Sequence, residues 1–353
     1  MKAEVSEQHI HPAQHGSTTL SVSNRRFVLV HIPDGPLTRD CFRLECAAIP
    51  EPKEGEVLLK TLYMSIDAAN RAWMQGATYR DALGAGTVMS GRAVGEVIES
   101  RHLNFRTGDL AFGDCGWQEY AAVPGQSLMK QSHVRPLSHL LSVYGISGLT
   151  GYFGVLEVGR PKPGETFVIS AAAGAVGSFA GQIANITGCR VVGIAGGDEK
   201  CRWLTEELGY DAAVNYKSGP ISETLKAACP NGIDVYFDNV GGETFEAALA
   251  QMNLMGRIAC CGVVSTYDAA AQPTHGPHGV PFLFVVKRLT MRGFIVSDFF
   301  AKRDEALAQL RSWVEEGQLK VIEDIVEGFE NLPDALIGLL HGKNRGKRMV
   351  KIG

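Results

Sequence analysis

Between Arg26 and about Ser142 the apolar residues come in short runs, clearest in Phe27 to His31, Val57 to Tyr63, Ala93 to Ile98 and Tyr120 to Val123. Pro-Asp-Gly-Pro, Pro-Lys-Glu-Gly and Arg-Thr-Gly-Asp separate them, and Pro and Gly supply the fixed or positive φ that tight turns need. Runs of that length between such turns predict strands, and so a β-rich domain of barrel or sandwich type. After Ser142 the rhythm changes to strand, turn, helix. Apolar runs at Glu165 to Ser170, Cys189 to Ala195, Ala212 to Asn215, Ile233 to Phe237, Arg257 to Gly262 and Met291 to Val296 are strand candidates. Segments of helical spacing lie among them at Gly177 to Thr187, Asp198 to Leu208, Gly242 to Met252 and Arg303 to Glu316. Strands joined through helices run parallel and are covered on both faces, which predicts an α/β fold with a doubly wound sheet. From Val321 the pattern is mixed again and ends in the strand-like Arg348 to Ile352, a segment able to pack back onto the first domain.

Composition narrows this picture. At 353 residues the chain exceeds one ordinary core, in keeping with two domains. A formal charge of −4 gives no basic field for nucleic acid, and the basic stretches at Arg25-Arg26 and Lys343 to Lys351 are short. No run of about 18 apolar residues suggests a membrane span. Met1 to Ser23 is polar and lacks the apolar segment of a signal peptide, so a cytoplasmic protein with a flexible tail over residues 1–23 is expected. The cysteines at 41, 46, 115, 189, 201, 229, 260 and 261 have no framework or C-x-x-C spacing, and the histidines are scattered or lie in loops and tail. Reduced thiols and no metal site are expected.

One turn carries specific chemistry. Ala172-Ala-Gly-Ala-Val-Gly177 is A-x-G-x-x-G, a dinucleotide fingerprint with alanine for the first glycine. Alone such a hexapeptide is weak, because small residues are common in helices. Here an apolar run leads into it and a helical pattern leaves it, the context the motif requires. Gly174 then lets backbone approach a pyrophosphate, Gly177 lets the helix pack on the strand, and the helix N-terminus presents free N–H groups. At the end of the next strand Asp198 is either a ribose ligand or a helix N-cap. Lys200 is placed to reach a 2′-phosphate, with Tyr216 at the end of the third strand, or is a solvent-facing lysine. With no metal ligands in view, a substrate that disperses charge itself suits hydride chemistry. Hydride added to the β-carbon of an α,β-unsaturated carbonyl yields an enolate that one hydrogen-bond donor can stabilise. Tyr267, after the fifth strand, sits where ligands bind in such sheets, or is a partly buried loop tyrosine.

Ala171-Ala-Ala-Gly-Ala-Val-Gly177, Gly188 to Lys200, Tyr236-Phe-Asp-Asn-Val-Gly-Gly242, Cys261-Gly-Val-Val-Ser-Thr-Tyr267 and Gly328-Phe-Glu-Asn331 together resemble motifs of the zinc-independent medium-chain dehydrogenases/reductases. The likeness is to the prostaglandin reductase, alkenal and curcumin double-bond reductase family, and spans from about Arg25 to the C-terminus. It implies a GroES-like catalytic domain from residues 24–142 and 321–353, and a Rossmann domain from residues 143–320 that binds NADPH/NADP+. Matched by position, Ala173, Gly174, Ala175, Val176 and Gly177 hold the pyrophosphate, and Lys200 and Tyr216 the 2′-phosphate end. Asn239, Cys261, Gly262, Val263, Ser265, Phe294, Ile295, Val296 and Asn344 line the nicotinamide side. Tyr267 takes the catalytic position, with Val296 beside it in the substrate pocket and Trp117 either facing an apolar or aromatic substrate there or being a large buried aromatic.

The resemblance further implies a homodimer acting on a small apolar or aromatic enone or enal, with a quinone reductase or a non-catalytic NADPH-binding protein as the alternatives. Departures lie on the substrate side. Asp67-Ala-Ala-Asn-Arg71 stands for Asp-Pro-Tyr-Met-Arg, and Ile146-Ser-Gly-Leu-Thr-Gly-Tyr152 for Met-Pro-Gly-Leu-Thr-Ala-Tyr.

Overall fold

The computed structural model describes residues 23–78, 80–267 and 280–353. Its N-terminal half is built of β1 (Ser23–Leu29), β2 (Phe42–Ala48), β3 (Glu56–Ser65), the helix α1 (Ala69–Gln75), β4 (Thr87–Val88), β5 (Arg92–Ser100), β6 (Leu110–Asp114), β7 (Tyr120–Pro124) and β8 (Met129–Gln131). β1 is flanked by β2 and β4 in a small antiparallel sheet, while β3, β5, β6 and β8 lie in order in a larger one, with β7 also on β3. The sequence predicts β1, β3, β5 and β7 but continues the first to His31; the strand stops at Leu29. Ser23, expected in the tail, is the first residue of β1 and pairs with Ala48. The rest of the expected tail lies outside the described residues.

Between the sheets sits an aromatic core. Trp117 is fully buried, stacks on Phe42 with centroids 5.2 Å apart and meets Phe27 edge-on at 6.2 Å. A β-carbon at Gly91 would lie 2.5 Å from the Trp117 ring, so only glycine lets the chain entering β5 pass so close to the indole. Burying such a ring contributes on the order of 4 kcal/mol.

The second half runs α2 (Ile146–Phe153), β9 (Thr166–Ile169), α3 (Ala175–Ile186), β10 (Arg190–Ala195), α4 (Asp198–Glu206), β11 (Ala212–Asn215), α5 (Ile221–Ala228), β12 (Ile233–Asp238), α6 (Gly242–Ala250), β13 (Met252–Cys260), α7 (Val280–Lys287), β14 (Thr290–Gly293) and α8 (Arg303–Glu315). The six strands form one parallel sheet in the order β11-β10-β9-β12-β13-β14. All four residues of β9 are buried, as expected of a strand covered on both faces, whose sequence reads as a continuous apolar run. The order reverses between β9 and β12, and a crevice opens at such a reversal beyond the strand ends.

Boundaries shift where tertiary contacts decide. β13 begins five residues earlier than the expected strand at Arg257 and stops at Cys260, and β14 stops at Gly293 rather than Val296. α2, with Gly148 and Gly151, has poor helix propensity and no clear apolar period, yet it forms because it is packed. A β-carbon at Gly151 would lie 3.2 Å from Phe179, so the absence of a side chain brings α2 close to α3.

The chain ends with β15 (Glu323–Glu327), α9 (Leu332–Leu340) and β16 (Lys347–Lys351). β16 pairs parallel with β15 and antiparallel with β3, Met349 opposite Ser65, so the last strand is inserted into the sheet of the first half.

Candidate active site

β9 delivers the chain into the glycine turn at the crevice. Ala171 has φ +48, a left-handed conformation that costs a Cβ-bearing residue about 1 kcal/mol or more. Its carbonyl accepts the Gly174 N–H at 2.9 Å and closes the turn. A β-carbon at Gly177 would lie 2.3 Å from that same carbonyl oxygen and 2.8 Å from Ala172 Cα, so no side chain fits there. At Gly174 the Ala171 oxygen, at 3.1 Å, is the only atom near such a β-carbon, which leaves its outer side open. α3 starts at Ala175 with no side-chain cap on its N-cap, Gly174. Ala175, Val176 and Gly177 therefore belong to the first turn, whose N–H groups have no intrahelical acceptor. An open glycine before an uncapped helix end fits a pyrophosphate. Ala173 is buried and its carbonyl accepts the Gly346 N–H at 2.9 Å, so the C-terminal segment abuts the turn.

A cluster of cations stands at the ends of β10 and β11. The Lys200 ammonium donates to the Gly342 carbonyl at 2.7 Å. Burial first, then the charges of Lys217, Arg345 and Arg348, push its pKa below the ordinary 10.5. Tyr216 is 49 % exposed, and it and Lys217 fold over Gly196, where a β-carbon would lie 2.9 Å from the ring and 3.0 Å from Lys217 Cε. Such crowding of like charge suits a multiply charged anion. Asp198 is not the N-cap; Gly197 takes that place at φ +107, and the Asp198 carboxylate accepts the Asn215 amide at 2.7 Å. Lys217 and Arg345 are absent from the sequence-based set. Lys217 follows Tyr216 directly, but nothing local places Arg345, which pairs with Glu199 across the fold.

The other end of the crevice is formed by the loops after β12, β13 and β14. Asn239 is buried, its amide donating to the Ser170 carbonyl at 2.8 Å and its N–H to the Ser170 hydroxyl at 2.8 Å. Cys261 and Gly262 donate their N–H groups to the Asp238 carbonyl at 2.8 and 3.1 Å, and the Ser265 hydroxyl donates to the Val240 carbonyl at 2.6 Å. The Tyr267 hydroxyl accepts the Val263 N–H at 3.4 Å, and a β-carbon at Gly262 would lie 3.5 Å from it. The phenol thus lies back over its own loop, next to Asn239. Val296 is buried and Ile295 is 37 % exposed. Phe294 points its ring into the sheet's core, edge-on to Phe237 at 6.1 Å, so only its backbone faces the crevice side of β14. The Asn344 amide donates to the Gly346 carbonyl at 3.0 Å beside the glycine turn.

Trp117 is corrected. With no exposed surface it is a core residue of the first half and cannot line a pocket. The altered Asp67 to Arg71 segment is tied into the frame at both ends. Lys347, 1 % exposed, donates to the Ile66 carbonyl at 3.1 Å and pairs with the Asp67 carboxylate, while Arg71 donates to the carbonyls of Pro33 and Gly35 at 3.1 and 2.8 Å. Ala68 and Ala69 between them are partly exposed, and Ser147 is buried in α2. Among the described residues no group of three His, Cys, Asp or Glu is placed to hold a metal, and no helix is long and apolar enough to cross a membrane.

Both halves of the chain are similar to known proteins. Residues 25–131 match the family described as the N-terminal domain of oxidoreductase, and residues 175–315 the family described as zinc-binding dehydrogenase. The NADPH-dependent curcumin reductase of Escherichia coli is 42 % identical over 93 % of this chain and 97 % of its own length. Prostaglandin reductase 1 of Bos taurus is 43 % identical over 89 % of this chain and 94 % of its own. The crystal structure of CurA from Vibrio vulnificus in complex with NADPH superposes with a TM-score of 0.88 at 40 % identity, covering 93 % of this chain and 99 % of that one.

Proposed function

Since the chain belongs to the zinc-independent medium-chain dehydrogenases/reductases, in the group of the prostaglandin, curcumin and 2-alkenal reductases, we propose that it reduces the C=C bond of α,β-unsaturated ketones or aldehydes with NADPH. The observation that carries this is the Tyr267 hydroxyl beside Asn239 and Gly262, at the same crevice as the glycine turn and the Lys200 cluster.

Bound NADPH supplies the hydride. Ala173 to Gly177 hold its pyrophosphate at the open turn, and Lys200, Tyr216, Lys217 and Arg345 hold the 2′-phosphate. Asn239, Cys261 to Ser265, the backbone of Phe294 to Val296, and Asn344 confine the nicotinamide. Tyr267 then donates a hydrogen bond to the substrate carbonyl, so that negative charge arriving on oxygen as the β-carbon is reduced finds a donor already in place. Accepting the Val263 N–H polarises its O–H for that task. Protonation of the α-carbon completes the reaction. The proposed domains are 24–142 with 321–353, and 143–320, a division supported by β16 pairing with β3. A homodimer is supported by the α7 face, where Phe282, Val285 and Val286 are 68 %, 75 % and 44 % exposed beside the edge strand β14.

Purified protein mixed with NADPH and a panel of enones, enals and quinones tests the reading by nicotinamide absorbance and product analysis. Saturated ketones and aldehydes are expected. Allylic alcohols as the only products overturn it, and turnover confined to quinones transfers the chain to the quinone reductases.

A further inference from the structure

At the point where the strand order reverses, between the ends of β9 and β12, lies a carboxylate to which none of the roles above is assigned. Asp238 is 5 % exposed. Its Oδ1 accepts four hydrogen bonds, from the Ser170 hydroxyl at 3.0 Å, the Tyr236 hydroxyl at 2.9 Å, and the Val240 and Gly241 N–H groups at 3.0 Å each. All four donors are neutral, so they disperse the charge without cancelling it. The backbone carbonyl of the same residue accepts the N–H groups of Cys261 and Gly262, and Val240, which donates to the carboxylate, accepts the Ser265 hydroxyl, so Asp238 is tied at both groups to the loop that carries Tyr267. Its charge is felt there: the thiols of Cys260 and Cys261 are pushed up to about 12 by burial first and by Asp238 second.

A neutral acceptor such as an amide oxygen could tie the same loops together. Burying a carboxylate with only neutral partners is costly, so the charge itself is the distinguishing property of this side chain. We propose that Asp238 is a fixed negative charge under the nicotinamide end of the crevice, biasing the bound nucleotide towards its oxidised form and thereby easing hydride release. This inference rests on the NADPH reading above. NADP+ and NADPH share their phosphates and adenosine and differ by one positive charge on the nicotinamide ring. The ratio of their affinities therefore isolates the field at that ring from every contact with the phosphates.

Asp238→Asn keeps an oxygen for the four donors and removes the charge. Dissociation constants for NADPH, from its fluorescence, and for NADP+, by displacement, are measured on the wild type and the variant, with thermal unfolding in parallel. The ratio Kd(NADP+)/Kd(NADPH) is expected to rise roughly tenfold in the variant, the size of a charge interaction across a partly screened interior. Equal weakening of both nucleotides, or no change in either, assigns Asp238 a purely structural role and overturns the proposal. A wild type that binds neither nucleotide instead overturns the NADPH reading. Tyr236→Phe, a change that removes one neutral donor and leaves the charge less dispersed, is expected to move the ratio in the opposite direction. It decides the question alone if the asparagine variant does not fold, and an unchanged ratio there also overturns the proposal.

Discussion

Lys200 holds its proton less firmly than a free lysine, because burial and the neighbouring Lys217 and Arg345 oppose its charge. In the folded protein the ammonium is therefore lost at a pH below the ordinary 10.5. Between the lowered value and 10.5 the unfolded chain binds the proton more tightly, so stability without nucleotide rises with pH across that window. If the 2′-phosphate is held by this cation as proposed, preference for NADPH over NADH is expected to be full at neutral pH and to decline as pH rises through the lowered pKa. Michaelis constants for the two nucleotides across a pH series check this. Lys200→Ala is expected to raise the NADPH constant far more than that for NADH, and equal changes would remove Lys200 from the phosphate site. Tyr267→Phe is expected to lower kcat by about 10²–10³, or about 2.7–4 kcal/mol, with little change in nucleotide affinity. Single-turnover kinetics beside nucleotide binding separate the two effects. At this scale the sequence is uneven. The position of Tyr267 after a strand could be read, whereas Trp117, equally aromatic and equally close to glycines, is taken into the core by Phe42 and Phe27, residues about 75 and 90 positions away.

Among the elements, the strand β9, its turn and helix α3 behave as one piece. Gly177→Ala sets a β-carbon 2.3 Å from the Ala171 oxygen, so backbone must move. A loss of about 1–3 kcal/mol and much weaker NADPH binding are expected, read by denaturant unfolding and fluorescence titration. β16 is a second such piece: Gly346 meets the glycine turn, and the next residue, Lys347, holds Ile66 and Asp67. Burial pushes the Asp67 carboxyl up, but the charge and hydrogen bond of Lys347 and the Ser65 hydroxyl outweigh it and hold it below 3.8. Lys347→Met leaves that carboxylate without its cation and is expected to cost about 3 kcal/mol, seen in the unfolding midpoint. The rhythm of strand and helix made β9 to β12 legible because parallel strands and amphipathic helices differ in period. α2 and α9 were not legible, since apolar residues and glycines occur all round them and only packing selects a helix.

For the molecule as a whole, the face formed by α7 and the edge of β14 carries the dimer proposal. Phe282→Glu combined with Val285→Glu is expected to shift the sedimenting species to a monomer with an unchanged circular dichroism spectrum. A wild type that already sediments as a monomer overturns the dimer. The two-part division was visible in the sequence as a change of rhythm near Ser142, and the return of the C-terminal segment in the strand-like pattern of Arg348 to Ile352. What could not be seen was that the site is shared over such distances: Lys200 meets Gly342, and Glu199 meets Arg345, pairs separated by 142 and 146 positions.

The insertion of β16 beside β3 also fixes an order of events during synthesis. β3 leaves the ribosome early and β7 covers Glu56 to Lys60 soon after, yet its Tyr63–Ser65 end stays open on one edge until residues 347–351 emerge. Nothing prevents the parallel sheet between from forming first, because among the described residues none of its strands pairs with a strand of either flanking segment. A nascent chain halted before Lys347 is therefore expected to show a protease-resistant nucleotide-binding half attached to an unfinished first half. The catalytic cleft would then be the last part of the protein to exist.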